Sequence, residues 1–318
     1  MKLTGRKIMV TGCAGFIASH LAEELLARGN DVIGVDNLSA GKREFMSGMM
    51  DNDAFTFIEG DLLTMDLGKA LEGVEVVCHL AANPDVRLGA KNTHIHFEQN
   101  IEVTYKLLEA GKDHGVKDLM FPSTSTVYGE TEVIPTPENY GPLVPISVYG
   151  ASKLACEALI SSYCHTFDQN AVIYRFANVV GTRSTHNVLH DFIRKLREDS
   201  SSLEILGAEH GTIKSYVHVK DCVRGMVAGA EASDSQVEIY NIGSRDWMTV
   251  KDIADIVVEE MRLPNVEYRW TGGVKGGRGW VGDVKKMLLA VDKLEARGWS
   301  PELGSREAIR RAVQEILG

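Results

Sequence analysis

The chain has 318 residues, with 34 Lys plus Arg against 44 Asp plus Glu and a formal net charge of −10. At roughly 150 residues per domain it has room for two lobes, and 44% hydrophobic with 25% charged residues excludes a disordered or fibrous chain. The acidic balance, with no local cluster of basic residues, excludes nucleic acid and anionic membrane as partners.

Short apolar runs at 7–10 (KIMV), 31–36 (DVIGVD), 55–59 (FTFIE), 74–80 (VEVVCHL) and 117–121 (KDLMF) predict buried strands. Between several of them the apolar spacing is helical: residues 15–28 carry Phe16, Ile17, Leu21, Leu25 and Leu26, and 97–111 carry Ile101, Tyr105 and Leu108. A helix at 149–167 and a strand at 171–176 continue the alternation, which predicts an α/β fold with a doubly wound parallel sheet. Beyond residue 177 the pattern predicts a helix at 187–198, a strand at 203–206, a helix at 221–232 and a strand at 238–242. Thr249 is an N-cap for the run to Met261. Residues 271–283 (TGGVKGGRGWVGD) are a glycine-rich loop, followed by amphipathic helices at 284–297 and 305–317. This second half predicts a smaller α/β lobe with a binding cleft at the junction.

The five cysteines (Cys13, Cys78, Cys156, Cys164, Cys222) form no C-x-x-C pair, which predicts reduced thiols in the cytoplasm and no metal site. The pairs His94/His96 and His186/His190 lack a third ligand and read as packing or surface histidines. No signal-peptide pattern and no apolar stretch near ~20 residues is present, so a soluble chain is expected.

TGCAGFIASH (11–20) leaves the first strand and opens the first helix. Gly12 permits the tight turn, Gly15 admits a pyrophosphate to the backbone, and the helix N-terminus offers unpaired N–H groups. Asp36, at the end of the second strand, is placed to accept from both adenosine ribose hydroxyls and to repel a 2′-phosphate, so the cofactor expected is NAD rather than NADP. Asp61, after the third strand, fits either an adenine contact or a turn. The expected Rossmann-like domain is 1–176 with a return segment at about 213–243, and the substrate lobe about 177–212 with 244–318.

Tyr149 and Lys153 in YGASK lie four residues apart, hence on one helix face. A free tyrosine ionises near pH ~10; an adjacent ammonium and a nicotinium charge favour the phenolate and a general base. In FPSTSTVYG (121–129), Thr124 falls at a strand's carboxyl end, the rim where open α/β sheets bind ligands.

TGCAGFIASH, VDNLSAGK, EGDL, HLAAN, STSTVYGE, YGASK, RFANVVG and SYVHVKD stand in the order found in the extended short-chain dehydrogenase/reductases. The chain resembles that family over essentially its whole length and is most similar to its UDP-glucose 4-epimerases. The resemblance implies Tyr149 as base, Lys153 as the ribose ligand that tunes it, and Thr124 as the hydroxyl beside them. It extends the NAD site to Phe16, Ile17, Asn37, Leu62, Leu80, Ala81, Ala82 and Asn100. For a UDP-sugar substrate it implies contacts from Asn178, Asn187, Lys214 and Arg278, with Lys214 standing where relatives generally carry Arg. Transient oxidation at sugar C4 and return of the hydride to the other face is the implied reaction, with UDP-glucose and UDP-galactose interconverted.

Related 4,6-dehydratases carry an Asp-Glu pair directly after the equivalent Thr. Here Ser125 and Thr126 follow, which argues against dehydration. UDP-glucuronate epimerisation or decarboxylation is the nearest alternative, and a non-catalytic NAD-binding regulator would be expected to lack Tyr149 or Lys153. Family resemblance also implies a homodimer through roughly 94–111 and 150–167.

Overall fold

A computed structural model describes residues 1–318. Its first half runs β1 (Lys7–Thr11), α1 (Phe16–Ala27), β2 (Asp31–Asp36), β3 (Phe55–Glu59), α2 (Leu67–Ala70), β4 (Val76–His79), α3 (His94–His96), α4 (Val103–Asp113), β5 (Asp118–Thr124), α5 (Val148–Phe167) and β6 (Asn170–Phe176). A π-helical turn, Phe97–Glu102, joins α3 to α4. The second half runs β7 (Asn178–Val180), α6 (Val188–Glu198), β8 (Ser202–Ile205), β9 (Ile213–Lys214), β10 (Tyr216–His218), α7 (Val219–Glu231), β11 (Val237–Ile242), β12 (Met248–Thr249), α8 (Val250–Glu260), β13 (Glu267–Trp270), β14 (Lys286–Met287), α9 (Asp292–Glu295) and α10 (Ser305–Leu317).

Seven strands form one sheet in the order β11-β6-β5-β4-β1-β2-β3, parallel throughout. Because successive side chains point to opposite faces, its strands supply two cores. Ile8, Val10, Cys78 and Tyr174 pack under α1 and α7, with Leu21, Leu25, Cys222 and Met226 opposite. Met9, Val77, Phe121 and Ile173 pack under α4 and α5, against Leu107, Leu108, Cys156 and Ile160. This is the doubly wound, Rossmann-like sheet that the strand–helix alternation predicts. A third core lies apart from the sheet, among Leu189, Phe192, Leu203, Ile253, Val257, Ile309 and Val313 of α6, β8, α8 and α10.

Two expectations differ from the structure. β5 extends past Phe121 to Thr124, carrying Pro122 inside the strand; its pairing with β4 stops at Cys78↔Met120 while that with β6 continues to Thr124↔Phe176. With the β4 ladder ended, a residue lacking an N–H is tolerated. The helix expected at 284–297 shrinks to α9. The stretch VKKMLLAV is buried largely as extended chain, with Lys286 and Met287 paired to β9 and Leu289 bridged to Thr136. The Thr249 cap holds: its hydroxyl accepts from Asp252 N at 3.1 Å while the Asp252 carboxylate accepts from Thr249 N at 2.9 Å. No helix is long and apolar enough to cross a membrane, and no three His, Cys, Asp or Glu side chains gather as a metal site.

Candidate active site

The sheet changes winding direction between β1 and β4, and the carboxyl ends of those strands frame the crevice where such sheets take ligands. Gly12 has φ +70°, and a Cβ there would stand 2.9 Å from Ala81 N, so the loops after β1 and β4 meet only because residue 12 has no side chain. The amides of Phe16 and Ile17 open α1 with no backbone acceptor, and Gly15, the N-cap, has no side chain to cap them. Asp36 is buried; its Oδ2 accepts from Ala14 N at 3.0 Å and its Oδ1 from Leu38 N at 2.7 Å, while burial pushes its carboxyl above the ordinary value. Asp61 accepts from Asn37 Nδ2 at 3.1 Å and from Leu63 N at 2.9 Å. Leu80 N is bound by Thr11 O and Ala81 N by Thr11 Oγ1, which sets the backbone ahead of Ala82. Leu62 sends its side chain into the α4/α5 core. A glycine cradle, unpaired helix amides and one buried acceptor at the end of β2 fit a dinucleotide with an unphosphorylated ribose.

Ser147 starts α5, its hydroxyl accepting from Gly150 N at 3.0 Å, and so fixes the first turn that carries Tyr149. A Cβ on Gly150 would lie 2.9 Å from Thr126 O; the bare glycine brings Tyr149 beside the turn after β5. There Thr124 Oγ1 accepts from Thr126 N at 3.2 Å and pairs with Thr126 Oγ1 at 3.1 Å. Thr124, Tyr149 and Lys153 are thereby gathered at one strand end, although no direct hydrogen bond links them. Burial pushes the Tyr149 phenol up to about 12 and the Lys153 ammonium down to about 8. The protein alone therefore does not provide the phenolate that the Tyr/Lys spacing suggests, because desolvation, with Cys156 acting in the same direction, favours the neutral phenol. Lys153 Nζ lies 3.9 Å from the centroid of the Phe121 ring and has no carboxylate partner.

Behind this helix is a polar network that sequence reasoning missed. His79 is buried, with Nδ1 2.8 Å from Thr11 Oγ1 and Nε2 3.1 Å from Thr104 Oγ1. Thr104 donates to Asn100 O at 2.6 Å, so it accepts from His79 and the imidazole holds one neutral tautomer. Burial and then the Lys153 charge push that imidazole down to about 3. The Asn100 side chain, expected to touch the cofactor, accepts from Asn83 N at 2.7 Å and donates to Ser152 Oγ at 2.9 Å. Asn100 thus ties the loop after β4 to the active helix. One turn further along α5, Glu157 forms a buried pair with Arg175, at 2.7 Å to NH2 and 3.1 Å to Nε, and accepts from the Ser123 hydroxyl.

The four residues expected to hold the sugar nucleotide are engaged with the protein. Asn178 donates through Nδ2 to Ser215 O at 3.1 Å, joining β7 to the turn before β10. Asn187 caps α6, its Oδ1 accepting from Leu189 N at 2.9 Å and His190 N at 3.2 Å. Lys214 is ion-paired with Asp283, above the Trp280 ring. Arg278 reaches across from the glycine-rich loop to Glu130, which follows β5, with NH2 to Oε1 at 2.6 Å, and also donates through Nε to Asp283 O at 2.9 Å. Both cations are countered by carboxylates, a pairing that no sequence spacing announces.

The fold and this constellation define a dinucleotide-dependent enzyme with a Tyr/Lys helix. Residues 8–243 match the NAD dependent epimerase/dehydratase family. The chain belongs to that family, and NAD is its cofactor. The UDP-glucose 4-epimerase of Corynebacterium glutamicum is 30% identical, covering 93% of this chain and 91% of that protein. Among solved structures, a UDP-galactose 4-epimerase shares 40% identity at TM-score 0.86, with 98% of each chain covered. A UDP-glucuronic acid 4-epimerase from Bacillus cereus, in complex with UDP-glucuronic acid and NAD, shares 31% at TM-score 0.87, covering 98% of this chain and 99% of that one.

Proposed function

We propose that the chain interconverts UDP-glucose and UDP-galactose at C4. The observation that carries this reading is Tyr149 beside the unpaired Lys153 at the carboxyl end of β5, with hydroxyls and no carboxylate at positions 125 and 126. Bound NAD supplies a reversible hydride acceptor for sugar C4. Tyr149 Oη takes the 4-hydroxyl proton and returns it. Lys153 holds positive charge beside the phenol, which favours its ionised form against burial, and would donate to the nicotinamide ribose. Thr124 Oγ1 hydrogen-bonds the sugar oxygen. Lys214 and Arg278 bind the diphosphate, Asn178 and Asn187 lie along it, and the sugar beyond is free to turn over.

Purified protein given UDP-galactose should yield UDP-glucose without accumulating NADH. Tyr149→Phe should lower kcat by about 10²- to 10⁴-fold while keeping NAD; near-normal turnover by that variant would sink the assignment.

A second reading has its own support. Thr124, Ser125 and Thr126 present consecutive hydroxyls suited to a sugar C6 carboxylate, and a UDP-glucuronic acid 4-epimerase is among the similar structures. Relative kcat/KM for UDP-glucose and UDP-glucuronate separates the two. We further take the third core as the substrate lobe, at about 177–212 and 244–318, with the remainder binding NAD. The exposed Phe97, Tyr105 and Phe167 on the α3–α4 and α5 faces support a homodimer through those helices. Five unpaired, buried thiols suit a reducing cytoplasm.

A further inference from the structure

His96 is fully buried, at 0% exposure, although it sits in the polar run KNTHIHFEQN. Its ring meets the Tyr149 ring edge-on, with centroids 5.7 Å apart and planes at 60°. Two polar contacts fix the imidazole from behind. Nε2 lies 3.1 Å from Asp85 O, which accepts only, so Nε2 carries the hydrogen; Nδ1 then faces Asn100 Nδ2 at 3.4 Å as an acceptor, sharing that amide's second hydrogen with Asn83 O at 3.3 Å while the first goes to Ser152 Oγ. Gly89 packs directly against the ring, since a Cβ on it would come within 2.8 Å of His96 Cδ2 and 3.2 Å of Val148 Cβ. The π-helical turn Phe97–Glu102 starts directly after His96 and carries Asn100. The extra residue in such a turn is frequently found at functional sites, and here it sets the register in which Asn100 reaches back to His96.

We propose that His96 is a positioning residue for the epimerisation, holding the Tyr149 ring in the orientation its hydroxyl needs through ring-to-ring contact. The proposal rests on the reading of Tyr149 as the base. His96 exchanges no proton. Its imidazole, oriented by Asp85 O and Asn100 and packed against Gly89, limits the swing of the phenol about its Cα–Cβ bond.

The experiment is a set of kinetic measurements on the NAD-loaded protein with UDP-galactose. His96→Ala should lower kcat by about 10- to 100-fold, the scale on which a misplaced reacting group costs rate, with KM within about twofold and NAD content unchanged. His96→Phe, which keeps a ring against Tyr149, should recover kcat to within about fivefold of wild type. Gly89→Ala, whose Cβ would displace the imidazole by crowding its Cδ2 and Nε2, should lower kcat in the same direction. In a Tyr149→Phe background the His96→Ala change should alter the residual rate by less than about twofold, because coupled residues are not additive.

Equal losses in both backgrounds, a His96→Phe variant no better than His96→Ala, or a loss arising from NAD release or a raised KM would each overturn the proposal. Near-normal turnover by Tyr149→Phe alone would instead overturn the reading of the base, so the two failures are told apart.

Discussion

Lys153 and Glu157 stand one turn apart on α5, the spacing at which a lysine and a glutamate ordinarily pair, yet the carboxylate is held by Arg175 of β6 at 2.7 Å. Lys153 is left over the Phe121 ring, buried and cationic without a neutralising partner. Arg175 thereby reserves the lysine's charge for whatever occupies the crevice.

Such a charge destabilises the NAD-free fold. Lys153→Met should raise the melting temperature of NAD-free protein while abolishing turnover, the opposite of a structural ion pair. The folded lysine releases its proton near pH 8, whereas the unfolded one holds it to the ordinary 10.5. Between those values the unfolded chain binds more protons, so wild-type stability rises with pH. The advantage of Lys153→Met, measured by denaturant unfolding, should shrink from pH 8 to pH 10.

Arg175→Met should act through the partner it abandons. Glu157 would be left buried and ionised, and breaking a buried pair from one side costs about 3–5 kcal/mol. The carboxylate would also be freed toward Lys153. Unfolding free energy and NAD content should both fall, and an Arg175→Met/Glu157→Met double variant should recover much of the stability.

Gly12→Ala meets two obstacles, a left-handed backbone at φ +70° and the Ala81 amide 2.9 Å from the new Cβ. Together they should cost about 2–3 kcal/mol and open the β1/β4 crevice. The purified variant should carry little NAD, read from its absorbance after denaturation, while Gly29→Ala, whose Cβ would meet nothing within 4 Å, should carry the wild-type amount.

Arg278 is held by Glu130 at 2.6 Å, with both groups partly exposed. Glu130→Gln should release the arginine and tighten UDP binding by about two- to fivefold, the range of a partly exposed ion pair. Arg278→Ala should weaken it. Calorimetric titration with UDP distinguishes the two, and weaker binding by Glu130→Gln would mean that the glutamate serves the nucleotide directly.

The large sheet was legible because its buried strands are apolar runs of four to seven residues between turn formers. β7, β9, β10, β12 and β14, at two or three residues each, have no period to read; tertiary neighbours alone decide that Ile213 pairs with Thr249 and Lys286. The same cause misled the reading of 284–297, whose apolar content suits a helix face until β9 claims it. At the candidate site, the placement of Gly12 after β1, Asp36 at the end of β2, and Tyr149 and Lys153 on α5 follows from spacing, since each sits on one element at a fixed register. His96, His79, Glu130 and Arg175 act across elements distant in sequence. A histidine among polar residues gives no hint that Gly89 and Asp85 fold back over it.

The seventh strand of the sheet is separated from the sixth by some sixty residues, among them β7, α6, β8, β9, β10 and α7. A chain emerging from the ribosome can pair β1 through β6 once residue 176 is free, but the outer edge of β6 stays bare until 237–242 arrive. For that interval it is an open template, and Arg175 and Tyr174 lie on the strand that presents it. A chain stalled or cut before residue 237 should therefore be prone to self-association through β6.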